Sequence, residues 1–362
     1  MKFKADNHIH IALPEKKMSD EQIATRLAIY KDAGVTFLRD GGDKHGVSAR
    51  AKAIATDMGI NYVTPAFPIF KEGHYGAFIG KAYSDIESFK ALVDEAIAEG
   101  ADFIKIMASG IVDFNNYGVL LDGKEKQMVA IIEEIKVPEI SHDDHNHDDH
   151  DHDDHDNYDN HDDHDHDDHG HDHDDHDHDG HDDHDHDDEL DGHSFEAALY
   201  KKEKSAIDVD ELTEMVEYCH SKGLSVMCHC NGAVNIKAAI EAGVDTIEHG
   251  FYMDEECAGM LAESDIVWVP TVAPVAALVG QDDIKQDVLK QILAEHIKMI
   301  NRVWYLGGMI ALGTDAGCRG AIHLDAIESE YNFLKAAIND QEFDDHLKMS
   351  LAQIEWKFTS SF

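Results

Sequence analysis

Cationic side chains are scarce in this 362-residue chain: 30 Lys and Arg stand against 75 Asp and Glu, a formal net charge of −45. That shortage argues against nucleic acid as a partner, because phosphates are neutralised by Lys and Arg. It argues equally against anionic membrane surfaces. No apolar run reaches the length of about 18 residues that a spanning helix needs. The N-terminus lacks the apolar core and small-residue cleavage site of a secretory signal. Five cysteines are an odd number and form no disulfide framework, so a reducing cytoplasm is the expected compartment. Neither a GxGxxG turn nor a Walker-type loop is present, which removes the usual nucleotide-binding signatures.

Most of the acidity is local. Residues 141–194 contain no Lys or Arg and consist almost wholly of His and Asp. No aliphatic residue occurs there before Leu190. Such a segment cannot bury enough surface to offset ordering entropy, and disorder without metal is expected. Its imidazoles and carboxylates are expected to bind extra divalent metal ions, Zn²⁺, Ni²⁺ or Cu²⁺. A tethered metal reservoir would raise the effective metal concentration near any site beside it. The plainer alternative is a solvated acidic linker.

The rest of the chain alternates short apolar runs with segments of helical period. The strand-like runs are 3–10, 35–39, 62–67, 103–107, 225–229, 246–249, 267–270 and 309–312. Helix-like segments lie between them, at 19–32, 85–99, 210–222 and 235–242, and stop at Gly34, Gly100, Gly223 and Gly243. A glycine just past the last turn is the usual helix terminator. The repeated grammar is helix, glycine, buried parallel strand. It predicts one α/β unit over 1–362, a (β/α)₈ TIM barrel, with the 141–194 insert between strands 4 and 5. A doubly wound open sheet is the alternative.

Barrel active sites form at the C-terminal ends of the strands. His8 and His10 end the first run, and alternation along a strand turns residues i and i+2 to one side. Lys105 lies in the fourth run, His229 ends the fifth, His249 ends the sixth, and Asp315 follows the eighth. Imidazole and carboxylate at neighbouring strand ends suit zinc and similar divalent ions. Lys105 is out of place unless deprotonated, a change that burial favours. Cys228 and Cys230 flank His229 and are expected to point away from the axis as packing residues.

In this order, on these strands, the residues resemble the metal pattern of the amidohydrolase superfamily. The wording "GVTFLRDGG", "ADFIKIMASG", "GVDTIEHG", "VPT" and "ALGTDAG" is most similar to its imidazolonepropionase-like and zinc-prolidase-like branch. The resemblance implies a lysine carboxylated by carbon dioxide, here Lys105, whose carbamate bridges two divalent metal ions, expected to be zinc. It further implies one ion on His8, His10 and Asp315 and the other on His229 and His249. A bridging hydroxide would attack the substrate carbonyl, and Asp315 would act as general base and acid. The implied activity is hydrolysis of an amide or related C–N bond in a small molecule: a dipeptide, an N-acyl amino acid or a cyclic amide. The alternatives are a mononuclear amidohydrolase or deaminase, and a metal-buffering protein that uses its insert.

Other contacts are placed by position alone. His74, after the third strand, is a candidate catalytic residue for the oxyanion or a substrate carboxylate. Asn115, Tyr117, Asn231, Arg319 and His323 lie on strand-end loops and are candidates to line the pocket, whereas Arg39 is expected to be structural. The small β-sandwich that flanks the barrel in relatives is expected to be reduced or absent, with a homo-oligomer partner covering the surface this exposes.

Overall fold

The computed structural model describes residues 4–122 and 207–359. The 141–194 insert lies outside the described residues, and so do the expectations attached to it. Twelve strands are found among the described residues: β1 (Ala5–Ile9), β2 (Phe37–Asp40), β3 (Asn61–Val63), β4 (Pro68–Lys71), β5 (Lys81–Tyr83), β6 (Ile104–Met107), β7 (Ile111–Val112), β8 (Leu120–Leu121), β9 (Val226–Cys230), β10 (Thr246–His249), β11 (Val267–Val269) and β12 (Met309–Ile310). The helices are α1 (Asp20–Asp32), α2 (Val47–Asp57), α3 (Ile86–Ala98), α4 (Val209–Ser221), α5 (Ala233–Ala242), α6 (Glu255–Glu263), α7 (Val272–Ala276), α8 (Gln286–Tyr305), α9 (Asp325–Ile338) and α10 (Phe343–Thr359).

Local sequence accounts for the helix boundaries. Ser19 and Gln22 form a capping box at α1, Asp85 and Ser88 do the same at α3, and Asp208 and Asp254 cap α4 and α6. The four predicted stops, Gly34, Gly100, Gly223 and Gly243, all have positive φ. The fold is α/β with parallel sheets, one ordered β1-β2-β3 and the other β12-β11-β10-β9-β6-β4-β5. A separate antiparallel pair, β7–β8, stands beyond the end of β6.

Backbone hydrogen bonds link the two sheets at both ends. Asn7 N donates to Leu312 O at 3.1 Å and His10 N to Ala316 O at 2.7 Å, while Asp102 N donates to Thr64 O at 2.8 Å. The expected third strand, 62–67, is broken. Pro65 has no N–H to donate and Ala66 is left-handed, with φ 61°, so the run divides into β3 and β4.

Two apolar layers follow from strand alternation. Phe37, Val63, Phe103, Met227, Val267 and Val269 form one cluster with Phe358 and Ile354 of α10. Cys228, Cys230 and Ile247, from alternate positions, join the larger cluster with the helices. The two cysteines are fully buried there, as packing requires. The Phe358 ring meets Phe103 edge-on, with centroids 5.0 Å apart, and Arg39 stacks its guanidinium over Phe358 at 4.5 Å. Among the described residues no helix is long and apolar enough to cross a membrane.

Candidate metal centre

His8, His10, Lys105, His229 and His249 are all buried, on or just after β1, β6, β9 and β10. Asp315 follows β12 on a loop that Thr314 ties to β1. The Thr314 hydroxyl donates to Asp6 Oδ2 at 2.6 Å and its N–H to Asp6 Oδ1 at 2.9 Å. Asp315 Oδ1 lies 3.4 Å from His8 Nε2 and 3.5 Å from His10 Nε2. One ligand atom from each of His8, His10 and Asp315 falls within 4.8 Å of the others. The Lys105 ammonium approaches the same point, with Nζ 3.2 Å from His8 Nε2.

The second pair of histidines is adjacent. Ring centroids are 5.1 Å apart for His8 and His249, and 4.7 Å apart for His249 and His229. His249 Nδ1 is 2.7 Å from the Thr271 hydroxyl, whose proton goes to Pro270 O, so the imidazole donates and its Nε2 is left for a ligand. His229 Nε2 is held at 3.2 Å by Gly110 O, with Asn231 Nδ2 3.4 Å away. These contacts keep His229 outside the tight His8–His10–Asp315 group.

The backbone is bent where the ligand-type residues stand. His249 (φ 69°), Thr271 (φ 53°) and Asp315 (φ 53°) are all left-handed. Each such residue costs about 1–3 kcal/mol, and such strain gathers at functional sites. Gly41 clears room for His10, since a Cβ there would stand 2.2 Å from the imidazole Cε1.

Burial sets the charges. It pushes His10 and His229 down to about 3, with the Lys105 ammonium adding to the effect. His8 and His249 fall well below the ordinary histidine value, again by burial first. Lys105 is lowered by burial, and Asp315 is raised by burial to about 7. Neutral imidazoles are the ligating form. The donor set therefore fits a divalent ion: two or more neutral nitrogens and a carboxylate converge out of water.

A cavity of about 640 Å³ opens on His229, His249 and Asp315. Its walls are largely apolar, from Ile111 and Leu121 of the β7–β8 pair, Phe114, and Val275, Leu278 and Ile284. Asn115, Asn231 and Arg319 also line it, whereas Tyr117 and His323 do not. The Tyr117 hydroxyl donates to Glu295, and His323 pairs with Tyr30 at 2.8 Å. His74 is not brought to the cavity either. It pairs with Asp122 at 2.5 Å, and its neighbour Tyr75 faces the site, with its ring 5.0 Å from His229. Cys318, which sequence reasoning passed over, lies 3.3 Å from Asp315 Oδ1 and lines the cavity.

Glu330 of α9 supports the site from behind. The N-terminus of α7 has no side-chain cap of its own, and Glu330 Oε2 accepts from Ala273 N at 2.6 Å. Burial raises Glu330 from 4.5 to about 8. The unfolded chain therefore releases this proton first, and stability falls as pH rises from about 4.5 to 8. Glu330→Gln, which cannot ionise in either state, should remove that fall. The expected gain over wild type is about 3 kcal/mol by pH 7, read from denaturant melts at pH 5 and pH 7. A pH-independent difference between the two proteins would contradict this.

A sequence profile described as the Amidohydrolase family matches residues 181–356. An ochratoxinase from Aspergillus niger is 33% identical over 121 residues, which span 32% of this chain and 25% of that protein. The match thus covers only a quarter of the curated relative. The crystal structure of A. niger ochratoxinase superposes with a TM-score of 0.61 at 18% identity, covering 98% of this chain and 69% of the other. A Xaa-Pro dipeptidase with methionine bound in its active site gives 0.57 at 18% identity, covering 96% and 75%. Likeness at these identities concerns the fold alone.

Proposed function

The chain belongs to the amidohydrolase superfamily, and from that membership we propose that it is a metal-dependent hydrolase of an amide or related C–N bond. The observation that carries the reading is the convergence of His8, His10 and Asp315 within 4.8 Å, beside Lys105, His249 and a cavity. The sheet-to-sheet hydrogen bonds of Asn7, His10 and Asp102 support reading the two sheets as one closed (β/α)₈ barrel with the site at its C-terminal mouth.

His8, His10 and Asp315 would hold one divalent ion, with zinc as the expected metal. His229 and His249 would hold a second, with carboxylated Lys105 shared between the two. Bound there, the ions would acidify water and polarise the scissile carbonyl. Asp315 would take the proton of the attacking water and return it to the leaving nitrogen, as its place between the ligands and the cavity allows. Tyr75, closer to the site than His74, is positioned to donate to the developing oxyanion. The apolar walls favour a substrate with a bulky apolar group, while Arg319 is paired with Asp283 at 2.5 Å and so offers no free cation there.

A one-ion site is the second reading, favoured by the separate hold of Gly110 O on His229. The test is a hydrolysis screen of zinc-loaded protein over dipeptides, N-acyl amino acids and cyclic amides. Turnover that a chelator abolishes and zinc restores is expected. No turnover of any of these, or ammonia as the product, would contradict the proposal.

A further inference from the structure

Behind His8 lies a chain of buried polar groups that the proposed chemistry does not use. Arg39, Thr246, Glu248 and His8 all have 0% exposure. Glu248 Oε1 accepts from Arg39 Nη2 at 2.8 Å and from the Thr246 hydroxyl at 2.5 Å. Arg39 Nη1 donates to the same hydroxyl oxygen at 2.9 Å, and Arg39 Nε to Asn7 O at 2.7 Å. One carboxylate oxygen is thus clamped by two side chains, Arg39 from β2 and Thr246 from β10, which also bond to each other. The other, Oε2, lies 2.8 Å from His8 Nδ1, off the line of a straight hydrogen bond. Neither of these two atoms has another hydrogen-bond partner among the described residues. A buried donor and a buried acceptor left without partners are each costly, and here they face each other.

We propose that Glu248 is the positioning residue of His8, and that Arg39 and Thr246 position Glu248. The carboxylate holds the imidazole proton on Nδ1 and aims Nε2 at the metal centre. At the opposite edge of the ring Nε2 faces Lys105 Nζ at 3.2 Å and Asp315 Oδ1 at 3.4 Å, the side on which an ion would sit. A carboxylate behind a ligating imidazole fixes its orientation and raises its basicity. Loss of such a partner typically weakens metal binding about 10–100-fold. Arg39 is therefore structural in a particular sense, since it anchors the residue that aims a ligand from the neighbouring strand. This inference rests on the reading of His8 as a metal ligand.

The test uses the full chain in zinc buffers, where a chelator fixes free Zn²⁺ and ions held by residues 141–194 do not alter it. Zinc bound only by the folded site raises the melting temperature, and the free Zn²⁺ at the half-point of that rise reports affinity. In Glu248→Gln the half-point should move about 10–100-fold higher. Thr246→Val removes one clamp without burying a lone charge, and should move it severalfold in the same direction. ¹⁵N-histidine spectra of the metal-free protein, with His8 assigned by its loss in His8→Gln, should show the Nδ1–H tautomer in wild type and a mixture in Glu248→Gln. A wild type whose melting ignores zinc overturns the metal reading itself. A wild type that responds, with variants that share its half-point even at a lower melting temperature, overturns this inference alone. If Glu248→Gln does not fold, Thr246→Val decides by the same criterion. An Nε2–H tautomer in wild type also overturns it.

Discussion

Asp315→Asn is expected to lower kcat by about 10³–10⁴-fold while KM stays within a few-fold. The amide keeps the shape of the carboxylate and loses its charge and its basicity. Oδ1 of Asp315 is the common neighbour of His8 Nε2, His10 Nε2 and Cys318 Sγ, at 3.4, 3.5 and 3.3 Å. No other carboxylate among the described residues lines both the ligand cluster and the cavity at this point. Substrate binding rests mainly on the apolar walls, which the substitution leaves alone, so the loss should fall on turnover. Steady-state kinetics of the zinc-saturated variant check this. A kcat within tenfold of wild type would remove Asp315 from the proton transfers.

Lys105→Ala is expected to reduce activity by about 10³-fold or more, with partial recovery in millimolar acetate or propionate. Lys105 is 1% exposed, among the imidazoles, and its Nζ lies 3.2 Å from His8 Nε2. Burial lowers its pKa and so favours the neutral amine that carbon dioxide requires. The carbamate would exchange a misplaced cation for an anionic oxygen ligand. A small carboxylate that enters the space left by Ala should then replace part of its function. Loss of activity without any rescue would leave Lys105 important but argue against carboxylation. Unchanged activity and metal content would remove it from the site.

The architecture was legible because each helix stop and strand start carries its own chemistry. Gly34, Gly100, Gly223 and Gly243 mark four helix ends, and the apolar runs after them become β2, β6, β9 and β10. The broken third strand escaped notice because Tyr62–Phe67 reads as one apolar run, while Pro65 and Ala66 interrupt its hydrogen bonding. The β7–β8 pair escaped for another reason. Strands of two residues have no period to detect, yet Ile111 and Leu121 form part of the cavity wall.

The site was legible at the level of residue type and less so at the level of direction. Strict alternation puts Glu248 on the sheet face of its register partner His229 and His249 on the opposite face, with Cys230. The left-handed backbone of His249 brings its ring back to His8 and His229, so both neighbours serve one centre. The strand-end motif singles out His249, whereas alternation alone would have singled out Glu248. The choice between His74 and Tyr75 depended on one residue of loop geometry that no periodicity encodes.

His8, His10, Lys105, His229, His249 and Asp315 are proposed to form a two-ion centre. The most direct test is the zinc content of protein lacking residues 141–194, measured after exhaustive dialysis against metal-free buffer. Close to two zinc ions per chain are expected, falling together with activity when His8 or Asp315 is replaced. A content of one or none would contradict the two-ion centre.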